Sequence, residues 1–380
     1  MFQNLLKNSC RIVKGLAVFV LLSLFNPVYS GLGDSLINGI RVEAKLHYGI
    51  VLPHHKAIQY VLRDNIKGAE ITLSTESKGR HYWESLYRFP RYGIGYYYND
   101  FSNPDILGKS HSAFGFIDVP FYRERGKLSL SYQVAFGIGL FTKTYETYEN
   151  PLNMAISKVS NAFIGFDIIA RYKVGNHHEL KSALELSHYS NGKKRSPNMG
   201  INTITFTTAW LYSLKPVKYK NKQTNKVNYK KHFYELIYNA GTKRDDMLNE
   251  RLYFISTIIF DYNYAFTPKY AVGAGVDLFY DQSLSHIKAF EEKEPLASHD
   301  NYQAGAHFGL RARFGRLNIV LNAGRYVYAN YYKYTAIYSR LGMRYALTEK
   351  LLFNLTIKAH HAIADYLEWG LGYRFKTGGI

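Results

Sequence analysis

Residues 162–174 read AFIGFDIIARYKV and alternate in side-chain character with a period of two. Every position of one face is apolar or aromatic, and Asp167, Arg171 and Lys173 lie on the other face. The members of the apolar face are Ala162, Ile164, Phe166, Ile168, Ala170, Tyr172 and Val174. This alternation predicts a β-strand, and charges in the middle of its second face are typical of a strand that lines the inside of a membrane barrel.

The same alternation recurs along the chain, for example over residues 128–140, 304–314 and 367–375. A soluble β-protein also buries one face of a strand and exposes the other, so a single strand does not distinguish the two classes. Repetition of the pattern, with Tyr and Trp near the ends of the segments, favours a transmembrane β-barrel of the outer-membrane type. We therefore predict an all-β, antiparallel barrel with about 14–16 strands, with a soluble β-protein as the alternative.

The N-terminus has the composition of a secretory signal peptide. A positive segment with Lys7, Arg11 and Lys14 precedes an apolar run over residues 15–25, and Val28-Tyr29-Ser30 fits a cleavage site. The apolar run is short for a membrane-spanning helix, which leaves a membrane anchor as the weaker alternative. We therefore predict cleavage near Ser30 and a location in the bacterial outer membrane.

Charge and cysteine content limit the partners. The formal net charge is +19, which suits an anionic partner such as nucleic acid or an anionic lipid surface. Because the predicted signal peptide directs the protein out of the cytoplasm, nucleic acid is not the expected partner. We expect outer-membrane lipid instead. Cys10 is the only cysteine and lies in the leader, which excludes a disulfide framework and a cysteine-based zinc site. We predict no metal and no cofactor.

A basic stretch at 216–232, PVKYKNKQTNKVNYKKH, divides the chain into two parts of similar strand content. The predicted organisation is a signal peptide over residues 1–30, a first β-barrel unit over 31–215 and further strands over 216–380. The second part extends the same barrel or forms a second one. Of these alternatives we prefer one continuous membrane-embedded β-structure.

One hairpin carries residues that suit nucleophilic catalysis. His188 and Ser190 fall on the leucine-bearing face of one predicted strand, and Asn202 falls on the apolar face of the next. Polar groups that face lipid are costly and are often functional. A hydroxyl beside an imidazole is the minimum for attack on an ester. The alternative is that these residues are polar groups at the level of the lipid headgroups.

His188-Tyr189-Ser190-Asn191, followed by Pro197-Asn198-Met199-Gly200, resembles the His-x-Ser-Asn and Pro-Asn-x-Gly signature of the lipid A 3-O-deacylase (PagL-type) family. Residues 83–108 also resemble longer members. The resemblance covers residues 40–215 approximately, and 216–380 show no clear counterpart. It implies an outer-membrane barrel that removes an ester-linked 3-hydroxyacyl chain from lipid A of lipopolysaccharide, with a deacylase unit in residues 31–215.

The resemblance implies Ser190 as nucleophile and His188 as general base, with Asn191 and Asn198 at the oxyanion hole. The family's acidic residue, which orients the histidine, falls on Asn202 in this chain. An amide can hold an imidazole in place, but it carries no full charge to stabilise the imidazolium. Glu185 is a poor substitute because it lies on the opposite face of its strand.

A loop with three cations follows the motif: Lys193, Lys194 and Arg195. We expect them to bind phosphates or acidic sugars of lipopolysaccharide, although a solvated basic loop is an equal alternative.

Two other functions remain open. One is a non-catalytic barrel, porin-like or structural, in which the mid-strand charges line a pore. The other is a phospholipase-type barrel with the same Ser-His chemistry.

Overall fold

The computed structural model describes residues 39–376 except 54, 80, 102, 123–125, 193, 216–228, 230, 245–250, 333, 361 and 362. The predicted signal peptide and Lys193 lie outside the described residues, as does most of the basic stretch. In the described part of the chain, none of the helices combines the length and the apolar character that a membrane crossing by a helix requires.

The part of the chain that the structure describes contains sixteen strands, and all neighbouring strands pair in antiparallel orientation. The first eight are β1 (Ile40–Leu52), β2 (Ile66–Glu76), β3 (Arg91–Asp100), β4 (Lys109–Pro120), β5 (Leu128–Phe141), β6 (Ser160–Lys173), β7 (His178–Ser190) and β8 (Ile201–Ser213). The remaining eight are β9 (His232–Arg244), β10 (Leu252–Tyr264), β11 (Tyr270–Asp281), β12 (Tyr302–Phe314), β13 (Leu317–Ala329), β14 (Ile337–Ala346), β15 (Leu351–His360) and β16 (Ile363–Lys376). The all-β prediction and the strand count are confirmed.

Within the described residues, three short α-helices lie between strands: α1 (Lys56–Gln59), α2 (Tyr82–Leu86) and α3 (Ser283–Glu292). A turn of 3-10 helix, Ser298–Asn301, follows α3. α1 and α3 lie in loops, and α2 lies in the long connection between β2 and β3.

The strands close into two barrels, so the preferred single continuous structure is wrong. β8 pairs with β1, with Ile204 opposite Ile50, and closes a barrel of eight strands, barrel 1. β16 pairs with β9, with Gly372 opposite Ile237, and closes barrel 2. Each closure satisfies the hydrogen bonds of both edge strands and leaves neither barrel an open edge for the other to join.

The two ends of each barrel differ. One end carries short connections, such as 174–177 and 315–316, together with the longer β2–β3 connection that holds α2, and the other carries long connections, such as 142–159 and 282–301. We call them the turn end and the loop end. Outer-membrane barrels place their turns in the periplasm and their loops outside the cell.

Side chains fill the inside of both barrels. In barrel 1 the interior towards the turn end is an ion-pair network, in which Arg41 binds Glu76 at 2.7 Å and Lys181 binds Glu43 at 2.6 Å. Towards the loop end a cluster of buried apolar side chains replaces it, with Phe101, Phe141, Phe163 and Tyr189 among its members.

Three of the four mid-strand charges that could line a pore are paired inside the barrels. Arg171 pairs with Asp118, Asp167 lies 3.3 Å from the Lys45 ammonium, and Arg311 binds Glu235 at 2.8 Å. Arg313 is half-buried beside the Phe233 ring. An eight-stranded barrel has room inside for side chains and not for a water-filled channel, so the fold does not favour the pore function.

The barrels contact each other at the turn end. Tyr87, which follows α2, stacks on Phe314 with ring centroids 4.1 Å apart and donates a hydrogen bond to the carbonyl oxygen of Lys269 at 3.3 Å. Trp83 of α2 packs edge-on against the same Phe314 ring. A Cβ on Gly315 would lie 2.8 Å from the Trp83 ring, so the turn between β12 and β13 accepts this indole because residue 315 is a glycine.

Candidate active site

The hairpin of β7 and β8 brings His188 and Asn202 together as direct cross-strand partners. His188 Nδ1 lies 2.6 Å from Asn202 Oδ1. A carbonyl oxygen can only accept a hydrogen bond, so Nδ1 carries the proton and donates. The lone pair of a neutral His188 is therefore on Nε2, which is the nitrogen a general base needs.

Ser190 lies two residues beyond His188 and shares its outward face. Ser190 is only 6% exposed, although it faces away from the barrel interior, and the backbone at Gly200 lies close to it. Gly200 allows this approach: it has φ +76°, and a Cβ there would lie 2.9 Å from His188 Cε1 and 3.6 Å from Ser190 Cβ. A side chain at position 200 would therefore displace the imidazole.

The residue between them, Tyr189, anchors the strand from inside. Its ring centroid lies 5.1 Å from that of Phe163 and 5.3 Å from that of Phe141, and its hydroxyl is 3.2 Å from Ser112 Oγ. Because successive side chains of a strand point to opposite faces, this packing fixes the backbone that presents His188 and Ser190 outwards.

Asn191 organises the loop with its side chain. Its amide nitrogen donates to Ser157 Oγ at 3.0 Å and to the Arg195 carbonyl at 2.9 Å, and its Oδ1 accepts from the Lys194 N–H at 3.0 Å. Its own backbone N–H donates to Asn198 Oδ1 at 3.1 Å. Both hydrogens of the Asn191 side-chain amide are thus used within the loops.

Arg195 joins this loop to the connection between β5 and β6. Its guanidinium donates to the Ser157 carbonyl at 3.1 Å and pairs with Glu146 at 3.5 Å, while its own carbonyl accepts from Ser157 Oγ at 2.7 Å. Of the three cations expected to bind lipopolysaccharide, Arg195 is held by these contacts and Lys194 is exposed.

Apolar side chains surround the site on the outer face of the barrel. Ile164 is the cross-strand neighbour of His188 on β6, and Leu186, 45% exposed, precedes it on the same face of β7. Ile204 occupies the corresponding place on β8 beside Asn202. The three polar residues therefore lie on a lipid-facing surface, near the loop end.

Glu185 points the other way, into the interior of barrel 1. It lies 3.4 Å from His47 Nδ1 and 3.7 Å from the Lys45 ammonium. With His47 and Glu70 it forms the one group of metal-ligand type within the described residues. The Lys45 ammonium, 2.8 Å from Glu70, already supplies a cation there, so this group is part of the ion-pair network. Asn202 is the residue that holds the imidazole.

Sequence reasoning missed the roles of Ser157, Tyr189 and Gly200. Ser157 is distant along the chain, and no local pattern connects it to the motif. The other two carried a signal: Tyr189 alternates with the motif residues and so must face inwards, and Gly200 ends the Pro-Asn-x-Gly element.

Family comparisons cover both barrels. Residues 68–211 match the family model of lipid A 3-O-deacylase (PagL). Residues 232–377, for which the motif indicated no counterpart, match the model described as acyloxyacyl hydrolase, C-terminal domain. No curated protein matches the chain.

Solved structures similar to the chain include Neisserial surface protein A, 10% identical, with 47% of this chain and 98% of that chain covered and a TM-score of 0.32. The outer membrane enzyme PagL is 15% identical, with 46% and 99% covered and a TM-score of 0.30. A mutant of Rh. blastica porin is 8% identical, with 88% and 100% covered and a TM-score of 0.17.

The two family models carry the assignment, because between them they take in nearly all strands of both barrels. The resemblance that the motif indicated is thereby confirmed. The chain belongs to the lipid A 3-O-deacylase (PagL) family, and its second barrel corresponds to that family's C-terminal domain.

Proposed function

We propose that barrel 1 is a serine esterase of the bacterial outer membrane that removes an ester-linked 3-hydroxyacyl chain from lipid A of lipopolysaccharide. The observation that carries the proposal is the 2.6 Å contact between His188 Nδ1 and Asn202 Oδ1 on the lipid-facing surface, with Ser190 on the same face. The family model that matches this barrel is that of a lipid A 3-O-deacylase.

His188 acts as general base. Since Asn202 holds the proton on Nδ1, Nε2 takes the proton of Ser190 as its Oγ attacks the ester carbonyl. The tetrahedral intermediate collapses, the acyl–oxygen bond breaks, and the imidazolium returns the proton to the sugar hydroxyl that leaves. Water, activated by the same nitrogen, then cleaves the acyl-enzyme and releases a 3-hydroxy fatty acid. These steps use only side chains and water.

The oxyanion of the tetrahedral intermediate needs N–H donors that do not already donate hydrogen bonds within the protein. The side-chain amide of Asn191 is engaged with Ser157 and Arg195, and its backbone N–H with Asn198. The N–H of Gly192, which has φ +61°, makes no hydrogen bond in the part of the chain that the structure describes. We assign this N–H to the oxyanion hole together with the side chain of Asn198, while Asn191 supports the loop.

Lipid A suits this surface because its acyl chains match the apolar side chains around the site and its phosphates match the basic loop. Its acyl chains lie in the membrane beside Ile164, Leu186 and Ile204, and an ester near the headgroup lies at the depth of Ser190. Its phosphates lie at the level of the loop, where Lys194 is exposed and Lys193 follows Gly192 in sequence.

The test is to express the chain in an outer membrane that carries lipopolysaccharide and to weigh its lipid A. We expect loss of one hydroxyacyl mass, which Ser190→Ala abolishes. Ser182→Ala, on the outward face of the same strand, is the matched control and should keep the activity. Unchanged lipid A with correctly inserted barrels would refute the proposal, and release of lysophospholipid instead would assign the site to a phospholipase.

A further inference from the structure

Barrel 2 has an apolar groove of about 280 Å³ on its outer surface, close to the turn end. Its lining includes Phe266 from the turn between β10 and β11, Tyr270 from β11, Leu310 and Ala312 from β12, and Ile319 from β13. The groove lies directly beside the contact between the barrels, because Lys269, whose carbonyl binds Tyr87, is the residue before Tyr270.

The groove exists because a small residue stands between large ones. Tyr270, Ala312 and Ile319 are cross-strand partners in one row across β11, β12 and β13. The next row towards the loop end has Leu310 opposite Leu321. Ala312 leaves a depression that these larger side chains wall in, and the Phe266 ring, stacked on Tyr270, closes one side.

Two cations lie near the groove at the contact between the barrels, Lys269 and Arg88. The Lys269 ammonium lies 5.2 Å from the centre of the Tyr87 ring, and Arg88, the next residue of barrel 1, donates to the Pro120 carbonyl at 3.3 Å. Burial and the like charge of Arg88 lower the pKa of Lys269. Within the described chain neither cation has a carboxylate at ion-pair distance, whereas interior cations such as Arg41, Lys181 and Arg311 are paired.

We propose that this groove and the cations Lys269 and Arg88 bind one phospholipid, with an acyl chain along Ala312 and the phosphate between the two cations. An anion at this point relieves the repulsion between like charges that come from different barrels. The turn end of an outer-membrane barrel faces the periplasm. The lipid at that depth is therefore phospholipid, since lipopolysaccharide occupies the opposite leaflet. The bound lipid joins the two barrels at the contact that Tyr87 makes.

The experiment uses the full chain purified in a mild detergent and titrated with phosphatidylglycerol, with the bound lipid counted by native mass spectrometry. One phospholipid should remain bound to the unmodified protein. The double variant Lys269→Gln/Arg88→Gln should weaken this binding by about tenfold or more, the usual worth of hydrogen bonds to charged groups. Ala312→Leu should weaken it similarly by filling the groove.

Two matched controls separate this site from general effects. Lys350→Gln removes a turn lysine that also lies over a tyrosine, Tyr373, but away from the groove. Ala306→Leu enlarges an outward alanine of the same strand, nearer the loop end. Both controls should bind phosphatidylglycerol as the unmodified protein does.

Three results would overturn the proposal. Ala312→Leu could bind as tightly as the unmodified protein, the controls could lose as much lipid as the site variants, or the retained lipid could be lipopolysaccharide. The shift between folded and heat-unfolded forms on a denaturing gel shows that each variant has kept its barrels. Since Ser190 lies in barrel 1 and outside this groove, Ser190→Ala should leave the bound phospholipid unchanged.

Discussion

Replacing Asn202 by aspartate should make the proposed deacylase faster. The side chain keeps its length, so the carboxylate oxygen takes the place of Oδ1, 2.6 Å from His188 Nδ1. That distance suits a charge-assisted hydrogen bond. The imidazole becomes a cation as it takes the Ser190 proton, so a negative partner stabilises the transition state more than the ground state.

The magnitude follows from the type of hydrogen bond. A neutral hydrogen bond contributes about 1 kcal/mol net and one to a charged group about 1.5–3 kcal/mol. The difference of about 0.5–2 kcal/mol corresponds to a rate increase of about 2- to 30-fold. Asn202→Leu removes the bond and the preference for the Nδ1 proton, and a loss of about 1–3 kcal/mol makes the enzyme about 5- to 150-fold slower.

The assay is the rate of 3-hydroxy fatty acid release from lipopolysaccharide by the purified protein in detergent. Thr208→Asp places a carboxylate on the same outward face of β8, away from His188, and controls for the cost of a charge on that surface. The reasoning fails if Asn202→Asp is slower than the unmodified protein while Thr208→Asp is not, or if Asn202→Leu keeps the full rate.

Three further changes test the scaffold. Ser157→Ala removes the hydroxyl that bridges the two loops, and we expect lower activity with unchanged barrel stability; equal activity, measured by fatty acid release, would show that the bridge is dispensable. Gly200→Ala should abolish release, because its Cβ would lie 2.9 Å from His188 Cε1 in a backbone conformation with φ +76°; an active variant would contradict the placement of this loop. Lys243→Met removes the ammonium that pairs with two buried carboxylates of barrel 2, Asp281 and Asp365, of which Asp365 keeps Lys358 at 3.4 Å, and should destabilise that barrel by about 3–5 kcal/mol. Denaturant unfolding measures this loss, and a change below 1 kcal/mol, on the order of a surface pair, would show that the network is not needed.

Most of the fold could be predicted from the period of two. The alternation in 162–174 and its repeats indicated the strands, their outward faces and a strand count close to the sixteen observed. Closure was not predictable in this way, since it depends on the register between β1 and β8, which lie at opposite ends of barrel 1 in sequence.

Charged residues on the inner faces of the strands could not be interpreted from the sequence alone. A charge on the inner face of a strand is consistent with a water-filled pore and with an ion pair, and one sequence position does not tell which. Arg171 and Asp118 show the difference: they lie on separate strands and neutralise each other across the barrel. Only the three-dimensional arrangement reveals that acids and bases meet.

Some features of the candidate site could be predicted from the sequence and others depend on how the chain folds. That His188, Ser190 and Asn202 share the lipid-facing side follows from alternation, and the structure places His188 opposite Asn202. Their catalytic roles stay predictions. The engagement of Asn191 and Arg195 with Ser157 depends on how two loops pack, which no local pattern records.

An outward-facing active site imposes a requirement on the inside of the barrel. Lipid is fluid and cannot hold His188 and Ser190 in a fixed geometry, so the order must come from the strand itself. Tyr189 supplies it, because its ring is fixed by Phe163 and Phe141 and its backbone joins the two catalytic candidates. The apolar cluster lies at the loop end, level with the hairpin, and the ion pairs lie towards the turn end. Close packing gives tighter positional control than long charged side chains. The distribution of apolar and charged residues inside barrel 1 therefore matches the height at which the outer face needs rigidity.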